Sequence, residues 1–499
     1  MKDETPYTTH REREAEGLLF EKSVPGREGV AVPNLDVDEV MPEDVLPKGM
    51  VRGDIEGFPE MSELDTVRHF TRLSQLNVGI DTVFYPLGSC TMKYNPKIND
   101  EIASMSGFST IHPYQPAEVS QGALELIYEM EGCLAEINGM DSVTLHPAAG
   151  AQGEFLGMLM LAAYFRNRGE TRKKVIIPDT AHGTNPASCR LAGFSVIQVK
   201  SGPDGFITPE SIAAVMDEET AAIMLTNPNT LGLFEHHIEE IAEIVHGRGG
   251  LVYCDGANLN ATMGVARAGD MGVDIIQLNL HKTFSTPHGG GGPGSGPVAV
   301  KKALTPYLPG PRVIKKGARY LLDHDLPKSI GRLRAFHMNF GIVVRAYSYI
   351  RAMGGEGLKR VSEMAVLNAK YVMSGLRGKY HLPYKAPCMH EAVFTDKLQS
   401  EDGVITMDIA KRLIDYGFHP PTIYFPLVVQ GAIMIEPTET ESRETLDRFI
   451  EAMKSIASEA MEEPALVKGA PHTTAVGRLD EVKAARKPRV RWSRENSAE

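Results

Sequence analysis

Between Leu124 and Val300, helical stretches alternate with short β-rich runs, and this pattern constrains the fold of the 499-residue chain more than any other feature. The runs are Lys174 to Ile177, Phe194 to Val199, Ala221 to Leu225, Leu251 to Cys254 and Ile275 to Leu278. Each has the length and apolar character of a buried strand, with enough chain between them for helical crossovers. The expectation is an α/β domain built on a mostly parallel sheet. One crossover helix can be read directly. Ile238, Ile241, Ala242 and Val245 fall at i, i+3, i+4 and i+7 and share a face, while Glu239, Glu240 and Glu243 take the wet side.

The flanks read differently. Residues 1–120 carry frequent Pro and Gly breaks with short periodic segments, as expected of an arm with a helical portion that wraps another surface. Residues 121–310 form the large α/β domain. Past Lys302 the chain runs through Pro306, Pro309, Gly310 and Pro311, and residues 311–499 read as a smaller C-terminal α+β domain with a basic tail. Its signals are a β-like Val428 to Ile435 and a helix near Arg443 to Ala457.

Composition removes several function classes. A net charge of -12 argues against nucleic acid or an anionic membrane as partner, and no stretch is apolar for long enough to span a bilayer. Cys90, Cys133, Cys189, Cys254 and Cys388 lack CxxC spacing, so neither a zinc site nor a disulfide framework is expected. A reducing compartment, the cytoplasm, fits such a chain.

The chemistry-bearing residues cluster at predicted strand ends, where open α/β sheets bind ligands. Lys282 follows the run Asp274 to His281, and Asp255 closes the strand Leu251 to Cys254. His182 lies in Asp179-Thr-Ala-His-Gly-Thr-Asn-Pro186, directly after the strand that ends at Pro178. Pyridoxal phosphate (PLP) needs a lysine for its Schiff base, a carboxylate for its ring nitrogen, a group on its ring face and a phosphate cradle. These three residues supply the first three parts. The cradle is the small-residue turn Pro147 to Gly153, where Gly150, Ala151 and Gln152 open a helix whose free amides suit an anion. Asn227, in Thr226-Asn-Pro-Asn-Thr230, is a candidate for the ring oxygen, and His281, beside Lys282, is a further cofactor contact.

Each residue alone has a plainer reading. Lys282 would be a surface lysine, Asp255 a helix or turn cap, His182 a solvated loop residue and Asn227 a turn former. The run His288 to Pro297 lacks the Gly-Lys-Ser or Gly-Lys-Thr of a P-loop. Its glycines would let backbone pass close to a cofactor or a neighbouring chain.

Five segments together carry a family resemblance: Tyr85-Pro-Leu-Gly-Ser-Cys-Thr-Met-Lys-Tyr-Asn-Pro96, His146-Pro-Ala-Ala-Gly-Ala-Gln-Gly-Glu154, Ala181-His-Gly-Thr-Asn-Pro186, Asn279-Leu-His-Lys-Thr283 and Ala484-Ala-Arg-Lys-Pro488. Over nearly its whole length the chain resembles the glycine dehydrogenase (decarboxylating) family, the P-proteins of the glycine cleavage system, in their two-subunit form. The resemblance implies a fold-type I, aspartate aminotransferase-like PLP enzyme with Lys282 as the Schiff-base lysine, His182 on the ring face and Asp255 at the ring nitrogen. It implies that glycine is decarboxylated and its aminomethyl group passed to the lipoyl disulfide of H-protein. It also implies a homologous partner, glycine dehydrogenase subunit 1, in an assembly of two of each, because single-chain P-proteins resemble two fused copies of this fold. Tyr85 to Pro96 and His112 to Pro116 become candidates for the glycine or lipoyl pocket, with Cys90 a buried or redox-neutral thiol by default. The basic run Lys483 to Arg494 is a candidate docking tail. The rival readings are another fold-type I amino-acid decarboxylase or aminotransferase, and a non-catalytic structural subunit.

Overall fold

The computed structural model describes residues 15–53, 55, 57–289 and 294–492. The chain forms two compact units, one spanning Val83–Gly469 and one made of the two chain ends, up to Thr82 and from Ala470.

The unit of chain ends has little core of its own. Up to Thr82 only Met61 and His69 are buried among the described residues, whereas Val30, Val32, Leu35 and Val37 are exposed. Its longest helix, Glu63–Leu76, starts where the Ser62 hydroxyl accepts from the Asp65 amide. Phe20 stacks on Trp492 with ring centroids 4.9 Å apart. Of the basic run, residues 483–492 are described and lie on the exposed helix Glu481–Arg486 and beyond; 493 and 494 lie outside the described residues.

The larger unit is built on a seven-stranded sheet: β1 (Ser142–Thr144), β2 (Lys174–Pro178), β3 (Ser195–Val199), β4 (Thr220–Thr226), β5 (Leu251–Gly256), β6 (Ile275–Leu278) and β7 (Val298–Val300). Their order is β1-β7-β6-β5-β4-β2-β3. Pairings β2·β3, β2·β4, β4·β5 and β5·β6 are parallel, while β7 runs antiparallel to both its neighbours. The five strands expected from the sequence are all present. Asp255, expected just past its strand, lies within β5, paired with Thr226 and Gln277.

The helices flanking this sheet include α1 (Gln121–Asn138), α2 (Gly150–Asn167), α3 (Thr184–Leu191) and α4 (Ile238–Gly247). The four apolar residues read from periodicity in α4 are all buried. They pack in the same core as Val252 and Ile276 of the central strands.

A hairpin, β8 (Arg312–Lys316) and β9 (Arg319–Asp323), leads to the helical stretch α5 (Phe340–Leu376), broken at Gly354 where φ is 61°. Beyond it β10 (Ala392–Thr395), β11 (Thr422–Ile423) and β12 (Ala432–Ile435) form an antiparallel sheet in the order β10-β12-β11. Helices α6 (Thr406–Asp415) and α7 (Arg443–Glu462) pack with it over a core containing Val372, Phe394, Leu413, Phe449 and Met453. Of the β-like run Val428 to Ile435, only the part from Ala432 is strand.

The segment after Val83 is tied to this smaller sheet instead of trailing as an arm. Phe84 meets Phe449 edge-on at 5.1 Å, and Leu87 bridges to Ile435. Among the described residues no helix is long and apolar enough to cross a membrane.

Candidate active site

The turns leaving β1, β2, β4 and β6 converge with the end of β5 on one cavity of about 180 Å³. Gly150, Ala151, Glu154, His182, Asp255 and Lys282 line its floor. Ser89, Asn258, His390 and Glu391 line its wall. The sheet thus brings together the lysine, the carboxylate, the imidazole and the helix N-terminus read from sequence.

Lys282 is half-buried on a tight turn. Its amide donates to Asn279 O at 3.2 Å, and the Ser285 amide donates back to Lys282 O at 3.3 Å. Ser285 has φ 51°, an uncommon conformation for a residue other than glycine. Asp255 is 4% exposed. Its carboxylate accepts from the Ala257 amide at 3.0 Å and from Asn185 Nδ2 at 2.9 Å. Both donors are neutral, and no ion-pair partner lies near it among the described residues, so its charge is compatible with a cationic ligand.

Asn185 ties Asp255 to a second buried carboxyl. Its Nδ2 also donates to Glu154 Oε2 at 3.1 Å, and Ser188 Oγ donates to the same oxygen at 3.4 Å. Burial, then the Asp255 charge, push the Glu154 carboxyl up to about 7 against these hydrogen bonds. The Thr184 hydroxyl lies 2.9 Å from Glu154 Oε1 and 2.9 Å from His182 Nδ1. Burial holds the His182 imidazole below its ordinary value; Lys282 acts in the same direction and Asp255 against it.

The N-terminus of α2 carries no side-chain cap at Ala149. A Cβ at Gly150 would come within 2.5 Å of Asn279 Oδ1, and one at Gly296 within 2.1 Å of Ala149 O. At Gly150 the obstacle is the Asn279 side chain, and at Gly296 it is backbone, so only glycine lets the end of the glycine run pass the turn before α2; residues 290–293 lie outside the described set.

Three candidate residues are placed behind the cavity surface. Gln152 turns back so that Oε1 accepts from the Ala148 amide at 2.6 Å, closing the turn. Asn227 is committed to Glu235, accepting from its amide at 2.9 Å and donating to its carbonyl at 3.3 Å, while its neighbours Thr226, Pro228 and Asn229 line the cavity. His281 accepts from the Ser295 amide at 3.3 Å and meets His288 edge-on. Burial, then the nearby His288 and Lys282, bring its imidazole down to about 3.

The wall went unread in the sequence apart from the segment Tyr85 to Pro96. Ser89 donates its amide to Glu391 Oε2 at 3.2 Å. Glu436, close behind, accepts from Thr91 Oγ1 at 2.7 Å, Asn258 Nδ2 at 2.7 Å and Asn260 Nδ2 at 2.9 Å. Burial and the Glu436 charge hold the Glu391 carboxyl well above the usual range, with the Ser89 bond and Lys282 opposing. Lys93 forms a buried 2.6 Å ion pair with Glu439, Tyr85 stacks on His419, and Cys90 is exposed. His112 and Pro113 line a different cavity beside Leu124 and Phe340. One missed residue had a signal: Glu154 is the only charged residue of α2 before Arg166.

These residues fit pyridoxal phosphate, through a lysine amine, a buried carboxylate lacking a cationic partner, a neutral imidazole and an uncapped helix N-terminus closed by glycine-only contacts. Solved structures share the architecture. A glycine decarboxylase (P-protein) of the glycine cleavage system in inhibitor-bound form superposes with a TM-score of 0.68 at 21% identity, covering 83% of this chain and 93% of that one. A cysteine desulfurase from Thermococcus onnurineus NA1 gives 0.59 at 17% identity, over 76% and 95%. The fold is therefore that of the fold-type I pyridoxal-phosphate enzymes.

Sequence comparison narrows this class. The profile of the Glycine cleavage system P-protein family matches residues 31–318, and that of the Glycine dehydrogenase, C-terminal domain, matches 361–472. A probable glycine dehydrogenase (decarboxylating) subunit 2 from Caldanaerobacter subterraneus subsp. tengcongensis is 58% identical over 97% of this chain and 100% of its own length. One of the same name from Bacillus licheniformis is 59% identical over 96% and 99%. The chain belongs to the glycine cleavage system P-protein family.

Proposed function

We propose that this chain is the cofactor-bearing subunit that decarboxylates glycine and passes the aminomethyl group to the lipoyl disulfide of an H-protein. In this reading it works with glycine dehydrogenase subunit 1 in an assembly of two copies of each. The observation that carries it is the meeting of Lys282, Asp255 and His182 in one cavity at the strand ends of a chain of this family. The exposed apolar residues Val30, Val32, Leu35 and Val37 support a partner chain. The five unpaired cysteines support a reducing compartment, the cytoplasm.

The Lys282 amine holds the cofactor's aldehyde and, when free, carries protons. Asp255 favours a protonated ring nitrogen by placing its charge among neutral donors. His182 packs on the ring face. The amides opening α2 at Gly150 and Ala151 take the phosphate, with Gln152 pinning the turn behind them and His281 supporting the Lys282 loop. Asn227 braces the loop from which Asn229 faces the cavity. Pyridoxal phosphate, when bound, supplies an electron sink for the pair left on glycine's alpha carbon as CO2 departs. Ser89, Asn258 and the buried His390 and Glu391 line the same cavity and would help keep water away from the reacting group.

Exchange of labelled bicarbonate into glycine's carboxyl group tests this reading, using the chain with subunit 1, cofactor and lipoylated H-protein and omitting each in turn. Exchange that requires all four components is expected. Cofactor binding without exchange would point to another amino-acid substrate, and the absence of both to a non-catalytic subunit.

A further inference from the structure

The hydrogens around Thr184 cannot all be placed unless one carboxyl carries a proton. The Thr184 amide points at His182 Nδ1 from 3.3 Å, which requires that nitrogen to accept. The Thr184 hydroxyl lies 2.9 Å from Nδ1 and 2.9 Å from Glu154 Oε1, and has a single hydrogen for the two. With Glu154 ionised, the hydroxyl would donate to the carboxylate. Nδ1 would then need a hydrogen to donate to the hydroxyl, and that N–H would oppose the Thr184 amide. With Glu154 neutral there is no conflict. Oε1–H donates to Thr184 Oγ1, the hydroxyl donates to Nδ1 alongside the amide, and Oε2 is the carbonyl that accepts from Asn185 and Ser188.

We infer that Glu154 is an uncharged positioning residue that fixes, through Thr184, the tautomer of His182 with its hydrogen on Nε2. The ring then offers a hydrogen-bond donor at Nε2, where it makes no protein hydrogen bond among the described residues, and has no lone pair there to take a proton. It meets a substrate carboxylate as a donor and does not act as a base. The same arrangement keeps one negative charge at the floor, on Asp255, because Asn185 joins the two carboxyls through one amide.

Burial and Asp255 push Glu154 up to about 7, in agreement with the geometry. The titratable groups facing it are Asp255 and Tyr253 of β5 and Cys189 of α3, with His182 beyond Thr184; Lys282 bears on His182. None of these is a cation against Glu154. The inference rests on the cofactor reading only for its consequence, since the tautomer is a property of the protein.

Nitrogen NMR of histidine-labelled protein in the assembled enzyme, with His182 assigned by its loss in His182→Gln, reads the tautomer directly. At about pH 6 the wild type should show hydrogen on Nε2, drifting towards Nδ1 as pH rises through the Glu154 titration. Glu154→Gln, whose amide can donate to Thr184 Oγ1 in place of the acid, should hold the Nε2–H form across the range. Thr184→Val, which removes the hydroxyl link without adding charge but keeps the backbone amide on Nδ1, should abolish the pH drift that follows Glu154 and weaken cofactor binding by about tenfold. Hydrogen on Nδ1 in the wild type at about pH 6, or a Glu154→Gln protein that drifts like the wild type, would overturn the inference. Failure of all variants, including the wild type, to bind cofactor would overturn the cofactor reading and leave the tautomer result standing.

Discussion

The floor and the wall of the cavity each hold a pair of buried carboxyls, but they are assembled from different distances along the chain. On the floor, Glu154 and Asp255 share the amide of Asn185, whose partners lie 31 and 70 positions away. On the wall, Glu391 takes the amide of Ser89 from 302 positions away and Glu436 the hydroxyl of Thr91 from 345. The floor is thus a product of one sheet's topology, in which each residue sits where its strand ends. The wall exists only once the segment after Val83 has docked on the β10-β12-β11 sheet. Floor substitutions should therefore disturb chemistry with little effect on folding, and wall substitutions should disturb both.

The largest effect expected is Lys282→Ala. Bicarbonate exchange should fall by at least about 10³-fold, roughly 4 kcal/mol, and the lysine-linked absorbance of the cofactor should vanish. The urea midpoint of the cofactor-free protein should stay at its wild-type value, because Lys282 is half-buried and its amide, not its side chain, holds the local turn through Asn279. A loss of midpoint comparable to the loss of rate would erase the floor's distinction from the wall. Asp255→Asn comes next. It keeps the shape and removes the charge, so exchange should drop about 10²-fold, near 3 kcal/mol, with the cofactor still attached.

Glu391 sharpens the contrast from the other side. Glu391→Ala leaves the Ser89 amide without its acceptor and opens a gap beside Met434, at an expected cost of about 2–4 kcal/mol in urea unfolding. Glu391→Gln should be much milder, and its pH dependence is diagnostic. The native carboxyl titrates above its ordinary value of 4.5, so the folded protein holds this proton more tightly than the unfolded chain. The stability it gives is complete below 4.5 and is lost as pH rises towards the native value. Between about pH 5 and about pH 8 the stability difference should therefore move in favour of Glu391→Gln. A flat difference would mean a carboxyl already ionised at the lower pH.

The same contrast decides what could be read from the sequence. Lys282, Asp255 and His182 were legible because strand periodicity fixes where a parallel sheet ends, and ligands bind at that edge. The sheet's β1 and β7, three residues each, are too short for a periodic signal, and the antiparallel direction of β7 lies in its connection, not in its composition. Asn227, Gln152 and His281 sit at the expected sequence positions, but side-chain direction is set by hydrogen bonds to Glu235, Ala148 and Ser295 that no spacing announces. Glu154 left a trace as a lone charge in an apolar helix. Glu391 and Glu436 left none, since a buried carboxyl in a strand-turn context reads like an exposed one until its distant donors are known.

The smallest effect is expected at Gln152, where the floor itself divides into residues that face the cavity and residues that hold the turn. Its Oε1 accepts from the Ala148 amide at 2.6 Å, so the side chain belongs to the turn before α2, whereas Gly150 and Ala151 line the cavity. Gln152→Ala should cost about 1 kcal/mol of stability, the usual net worth of one such bond. Cofactor affinity should fall by no more than about fivefold, through a looser turn alone. Gln152→Glu separates the two roles further. A carboxylate can still accept from the Ala148 amide, and at the positive end of α2 its charge is favourable to the helix, yet it would repel a phosphate bound at the same amides. Fluorescence titration of the cofactor should therefore show weaker binding in Gln152→Glu than in Gln152→Ala, with the order of urea midpoints reversed. Equal affinities in the two variants would place the anion away from this helix end, and with it the part of the floor that the glycine contacts of Gly150 and Gly296 enclose.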